Sequence, residues 1–238
     1  MESNSKRFIN AYNAIDYAIR VQHNFKRSMS FSDVIRRAVP VNYIVRKYED
    51  ELIDYGRLRN AIIHRSNEDF IIAEPHVSVV EKIEKIAEAI TTPPKALDVI
   101  CHKDVLCAQH DIKLVDVIEL ISTSEFSNIP IYKDGGLVGV ANGQRILDAI
   151  GKAIEKNVSV DEYIANTPVE SVIDMETTSK YYEVLPVDAT IEKVLNLFYS
   201  NRKLIAVLIT KSGNLKEVPL GIVTASDVII MNNILDSY

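Results

Sequence analysis

Three short stretches of this chain gather side chains able to do chemistry. In LRNAIIHRS, residues 58–66, the pair Arg59-Asn60 is followed by His64 and Arg65. A histidine with an ordinary pKa near ~6.5 takes and returns protons at neutral pH, and an arginine grips a phosphate with a fork of N–H donors. These types together suit phosphodiester cleavage without a metal, or equally a polar helix end where cations meet the macrodipole. A second stretch, GIVTASDVI, residues 221–229, runs from an apolar strand into hydroxyls at Thr224 and Ser226 and then Asp227. A helix starting there leaves free N–H groups for an anion, and the carboxylate behind them accepts hydrogen bonds from a diol. As plain structure, Thr224 caps the helix and Asp227, at a partly exposed helix start, favours its dipole. The third stretch, CHKDVLCAQH, residues 101–110, offers two thiols and two imidazoles. Its spacing matches no paired zinc-ligand pattern and its alternation reads as strand, so no metal site is expected.

Apolar periodicity says which elements carry these residues. Phe8, Ile9, Tyr12, Ile15, Ile19 and Phe25 recur at three- and four-residue steps, one face of a helix over residues 6–26. SFSDVIRRAV predicts a second helix, capped by Ser30 or Ser32 and stopped by Pro40. The longest helix is predicted from Val41 to His64, burying Tyr43, Ile44, Tyr48, Leu52, Tyr55, Leu58 and Ile62. On it Asn60 and His64 stand one turn apart, while Arg59 projects about 100° away from Asn60. After the connector DFIIAEPH, the run VSVVEKIEKIAEAIT is helical again, so residues 1–92 read as an all-α bundle of about four helices.

Pro93-Pro94 bars helix continuation, and beyond it short β-rich runs alternate with single amphipathic helices. That region is duplicated. AQHDIKLVDVIELIS, 108–122, aligns with LPVDATIEKVLNLFY, 185–199, placing Asp111 over Asp188 at an offset of 77 residues. Further on the offset becomes 82, with Gly139 over Gly221, because KSGNLKEVP is longer than KDGG in the hairpin turn. A surface turn absorbs such an insertion cheaply. The predicted fold is α+β and multidomain: helices over 1–92, a linker at 93–98, then α/β units at 99–155 and 156–238.

A chain of 238 residues accommodates two domains, and its 47% hydrophobic and 25% charged residues are ordinary for a folded protein. The net charge of −6 argues against a general nucleic-acid coat, though a local basic patch is compatible with it. No apolar run approaches the ~18 residues of a bilayer span, and MESNSKRF has no signal-peptide core. With two cysteines only, Cys101 and Cys107, the expectation is a cytoplasmic protein without a membrane partner.

The duplicated unit, together with GIVTASDVI, resembles the cystathionine-β-synthase (CBS) domain, two of which in tandem form a Bateman module. The likeness spans residues 96–235. It implies regulatory binding of an adenine nucleotide (AMP, ADP, ATP or S-adenosylmethionine) and no required cofactor. Phosphate and ribose would meet Thr224 and Asp227, with Ser226 beside them, and adenine an apolar slot around Val184, Leu185, Ile205 and Ala206. The first repeat departs from the pattern: Asn142 replaces the Thr and Arg145 the Asp. An arginine has donors only, so Arg145 cannot accept from a ribose; it is either a phosphate clamp or an exposed cation. One nucleotide per chain is therefore expected.

RNAIIH, 59–64, resembles the Arg–polar–three–His signature of HEPN domains, helical units that include metal-independent ribonucleases and non-catalytic members. The resemblance implies candidate catalytic residues Arg59, Asn60 and His64 in a cleft shared by two protomers. RNA is then a possible partner, along a surface widened by Arg57, Arg65, Arg36 and Arg37. A homodimer is expected from both halves: the helices at 111–122 and 188–200 carry more apolar residues than one sheet face needs.

Overall fold

The computed structural model describes residues 2–63, 74–124, 126–173 and 181–237. They divide into two compact units, residues 95–231 and residues 1–94 together with 232–238.

The first unit is helical: α1 (Asn4–Gln22), α2 (Phe31–Ala38), α3 (Tyr43–Lys47), α4 (Glu49–Ile63) and α5 (Val77–Thr91). Its core takes in Phe8, Ile15 and Ile19 of α1, Ile35 of α2, Leu52 of α4 and Ile83 and Ile86 of α5. Arg7 makes a two-pronged ion pair with Glu84, at 2.9 and 2.6 Å, between α1 and α5. The helix expected from 41 to 64 is in fact two. Tyr48 leaves the helical region at φ −116° and ψ 27°. The charges reverse across it, from Arg46-Lys47 to Glu49-Asp50-Glu51, as the macrodipoles of one helix ending and another beginning prefer.

The second unit holds α6 (Ala96–Val99), β1 (Ala108–Gln109), α7 (Leu114–Thr123), β2 (Asn128–Lys133), β3 (Gly136–Asn142), α8 (Gly143–Glu155) and α9 (Val160–Asn166). It continues with β4 (Tyr182–Pro186), α10 (Ile191–Ser200), β5 (Ala206–Thr210), β6 (Gly221–Thr224) and α11 (Val228–Asp236), the last of which runs past Met231 into the residues grouped with the helices. Two three-stranded sheets repeat one topology: β1-β2-β3 and β4-β5-β6, each with a parallel and then an antiparallel pair. The parallel pairs are joined by α7 and α10, as a parallel crossover requires. Each of these helices has ten residues, and they start 77 apart. The stretch 101–107, expected as strand, contributes only an isolated bridge at His102 to Ile222.

The repeats are interlocked. Ala96, at the head of the first, donates its N–H to Ala189 O of the second at 2.9 Å, and Val169, leading into the second, donates to Ile112 O of the first at 2.8 Å. Residues 95–98, read from sequence as linker, are thus part of the unit. One buried cluster draws Tyr132, Leu137 and Val140 together with Tyr181, Ala206, Leu208 and Ile222, from both sheets. The tight turn Asp134-Gly135, φ 49° and 75°, joins β2 to β3. The longer second turn is not free: Leu137 donates its N–H to Leu215 O at 2.8 Å and Tyr132 its hydroxyl to Glu217 O at 3.2 Å. No described helix is long and apolar enough to cross a membrane.

Candidate functional site

The chemistry-bearing end of the second repeat is built by β6 running into a helix. The strand begins at Gly221 because the interlocked head of the first repeat lies against it. A Cβ there would stand 2.7 Å from Cys101 Cβ and 3.0 Å from Leu97 Cδ1. At Thr224 the backbone is still extended, and a 3₁₀ turn, Ala225–Asp227, opens α11. Thr224 and Asp227 form a reciprocal capping box. Asp227 Oδ2 accepts from the Thr224 N–H at 2.7 Å and from its hydroxyl at 3.0 Å. A hydroxyl has one proton, so the 2.6 Å contact between Thr224 and Ser226 is a donation from Ser226. Asp227 is only 4% exposed, which corrects the expectation of a partly exposed helix-start carboxylate.

A second group meets Asp227 from far along the chain. His102 Nε2 lies 3.3 Å from Asp227 Oδ1. The histidine is held by two backbone bonds, each 3.0 Å, exchanged with Ile222. Next to it, burial and then the Asp227 charge push the Cys101 thiol up to about 12, so it stays protonated.

Above the capping box opens a cleft of about 360 Å³, within the range of small-ligand sites. It is lined in matching parts by both repeats: Asn128 and Asn142–Gln144 from the first, Ile205 and Thr224–Ser226 from the second. Asn142 and Thr224 occupy equivalent positions. Asn142 caps α8, its Oδ1 accepting the Arg145 N–H at 3.0 Å. Two helix starts therefore face one hollow with no lysine or arginine among its described lining residues, whose positive potential comes from backbone N–H groups.

Of the residues assigned to a nucleotide by resemblance, Thr224, Ser226 and Ile205 line this cleft. Asp227 lies behind it. Val184, Leu185 and Ala206 are outside the lining: Leu185 and Ala206 are buried in β4 and β5, and Val184 packs on the shared core. Arg145 is also outside, its guanidinium stacked 3.4 Å from the centre of the Tyr181 ring. Ser127, Asn128, Gly143, Gln144 and His102 were missed because they meet the motif only through the interlock of the repeats.

In the helical unit, Arg59 is half-buried. Its guanidinium lies 5.8 Å from the Tyr12 ring centre, Nη1 donates to Asn60 Oδ1 at 3.3 Å, and Nε is buried without a hydrogen bond. Asn60 is exposed. His64 and Arg65 lie outside the described residues. Arg57 is paired with Asp54 at 2.7 Å. His110 is hydrogen-bonded to Glu170, not grouped with His102 or the cysteines. Among the described residues no three His, Cys, Asp or Glu side chains converge as a metal site would need.

Two α/β repeats of one topology, interlocked around a shared polar cleft, define a tandem repeat module. Both repeats match the CBS domain family, over residues 96–152 and 166–231, and the chain belongs to that family. Similar solved structures include the CBS domain of a bacterial CNNM/CorC family Mg2+ transporter in complex with ATP, at 20% identity, TM-score 0.45, covering 63% of this chain and 94% of that one. Another is the CBS domain pair of protein MJ0100 in complex with 5′-methylthioadenosine and S-adenosyl-L-methionine, at 17% identity, TM-score 0.43, covering 58% and 95%. A third is a CBS domain protein from Streptococcus pneumoniae, at 16% identity, TM-score 0.42, covering 59% and 83%. No curated protein sequence is a significant match.

Proposed function

We propose that this protein is a cytoplasmic sensor whose CBS pair binds one adenine nucleotide, AMP, ADP, ATP or S-adenosylmethionine, and signals occupancy to the helical unit. The observation that carries this reading is the convergence of two capped helix starts, at Asn142 and Thr224, on one cleft of about 360 Å³. Neutral walls with backbone donors suit a phosphate, and a buried carboxylate beside Thr224 suits a ribose. Signalling has a covalent route. The helix that begins at this site, α11, ends among residues grouped with the helices, where Tyr43 and Lys47 hydrogen-bond Asp236, the latter at 2.7 Å. A homodimer fits the exposed apolar residues Leu147 and Ile229, at equivalent repeat positions and 63% and 72% exposed.

A ribonuclease reading needs Arg59 to face a phosphate. Its packing over Tyr12 favours binding over turnover as the output of the helical unit. Titration calorimetry of the full chain against the four ligands tests the proposal. One site per chain is expected, weakened about tenfold or more by Thr224→Val, which removes the hydroxyl that caps the helix start facing the cleft and holds Asp227. Silence toward all four, or binding untouched by Thr224→Val, overturns it. Incubating the same preparation with RNA tests the division of roles: cleavage that His64→Ala abolishes would move the output to catalysis.

A further inference from the structure

Arg145 is drawn away from the nucleotide cleft into a different hollow. Arg145, Lys152 and Lys156 follow one another at seven and four residues, which brings all three onto one stripe of α8. They line a cavity of about 480 Å³, faced by Tyr163 of α9 and by Ser171 in the 3₁₀ turn that follows it. Stacking on Tyr181 fixes the Arg145 guanidinium at its upper end.

Among the described residues the charge in this cavity is only partly compensated. None of the ion pairs among the described residues includes Arg145, Lys152 or Lys156. Asp148, the one carboxylate in the described lining and four residues before Lys152, offsets one of the three positive charges; it also accepts from Gln144 Nε2 at 2.8 Å. Lys152 lies in the last turn of α8 and Lys156 at its C-cap, where the macrodipole favours cations but does not require two of them. Nor does the repeat fold demand them: the equivalent positions in the second repeat are Asp227, Ile234 and Tyr238. In a chain of net charge −6, such a concentration of free cations around one concavity is what an anionic ligand requires.

We propose that this groove is a second binding site, for a chain of linked phosphates, separate from the cleft at Thr224. From Arg145 to Lys156 the helix rises about 16 Å. One phosphate cannot reach all three cations, whereas a short polyphosphate contacts them in series, with the Ser171 hydroxyl as a further donor.

The full chain is titrated calorimetrically at low salt with orthophosphate, pyrophosphate and tripolyphosphate. Affinity should rise along the series, with tripolyphosphate about tenfold or more tighter than orthophosphate, as added charge-assisted contacts require. Lys152→Glu/Lys156→Glu should lose tripolyphosphate binding, and Lys152→Gln/Lys156→Gln should weaken it about tenfold. Thr224→Val should leave it unchanged. Equal affinity for the three anions overturns the proposal, as does full binding by the Gln pair. Loss of tripolyphosphate in Thr224→Val also overturns it, since that places the anion in the cleft and leaves the nucleotide reading standing.

Discussion

Replacing Asp227 by Ala should destabilise the empty protein before any ligand is considered. The carboxylate is 4% exposed and receives both the N–H and the hydroxyl of Thr224, at 2.7 and 3.0 Å. Losing a helix cap costs about 0.5–2 kcal/mol, and a donor left partly buried costs about 1–3 kcal/mol. These describe the same bonds and are not added, so about 2 kcal/mol is expected. For a chain of this length that is a fall of about 4–8 °C in melting temperature. Asp227→Asn, which keeps one acceptor for the Thr224 N–H, should recover most of it. The ligand effect is read separately, as the rise in melting temperature each variant gains on its own baseline. At a hundredfold excess over Kd, the wild type gains about 2.7 kcal/mol, and Asp227→Ala should gain little. Differential scanning calorimetry with and without AMP measures both. An unliganded Asp227→Ala melting within about 1 °C of wild type would refute the cap argument, and an equal AMP increment in both proteins would refute the ribose role.

Asn142→Asp keeps a good cap for α8 but puts a negative charge on the cleft. It should leave adenosine binding nearly unchanged while weakening AMP, ADP and ATP progressively, and calorimetry finding the same loss for all four would refute an anion at that helix start. Glu170 is held below the usual carboxylate range, first by Lys133 and then by His110. A carboxylate depressed in the folded state contributes stability above its unfolded pKa of about 4.3, and loses it as pH falls through the lower folded value. Glu170→Gln should therefore lose less stability than wild type over that acid interval in urea titrations, and parallel curves would count against it.

The repeat was legible because its spacing survives in the elements. Helices α7 and α10 keep the 77-residue offset to the residue, and β3 and β6 end at Asn142 and Thr224, 82 apart. Two caps were legible for a local reason: Thr224, and Ser30 of the pair Ser30 or Ser32, bond within three residues of themselves. What escaped depends on contacts between distant segments. His102 meets Asp227 across 125 residues, and no periodicity predicts it. The burial of Leu185, and of Ala206 in the core that the repeats share, likewise follows from packing between strands and not from the motif. The break at Tyr48 had a signal, the sign reversal from Arg46-Lys47 to Glu49–Glu51, which apolar periodicity alone passes over.

The departure of the first repeat from the pattern gives the cleft a direction. At the start of α11, Asp227 occupies the third helical position and its charge offsets the positive end of the helix. At the start of α8 the equivalent residue is Arg145, so Asn142 still caps but the first turn carries no carboxylate to offset its positive end. An anion in a cleft walled by both helix starts is therefore drawn toward Asn142–Gln144, while a hydroxyl-bearing group finds its acceptor on the Thr224 side. On the proposed function, a nucleotide would satisfy both preferences in one orientation, ribose toward the Thr224 side and phosphates toward α8. A pair of repeats with Asp at both positions would accept two orientations or two ligands. In this chain the Arg at the first of these positions stacks instead on Tyr181, where it lines a groove of its own.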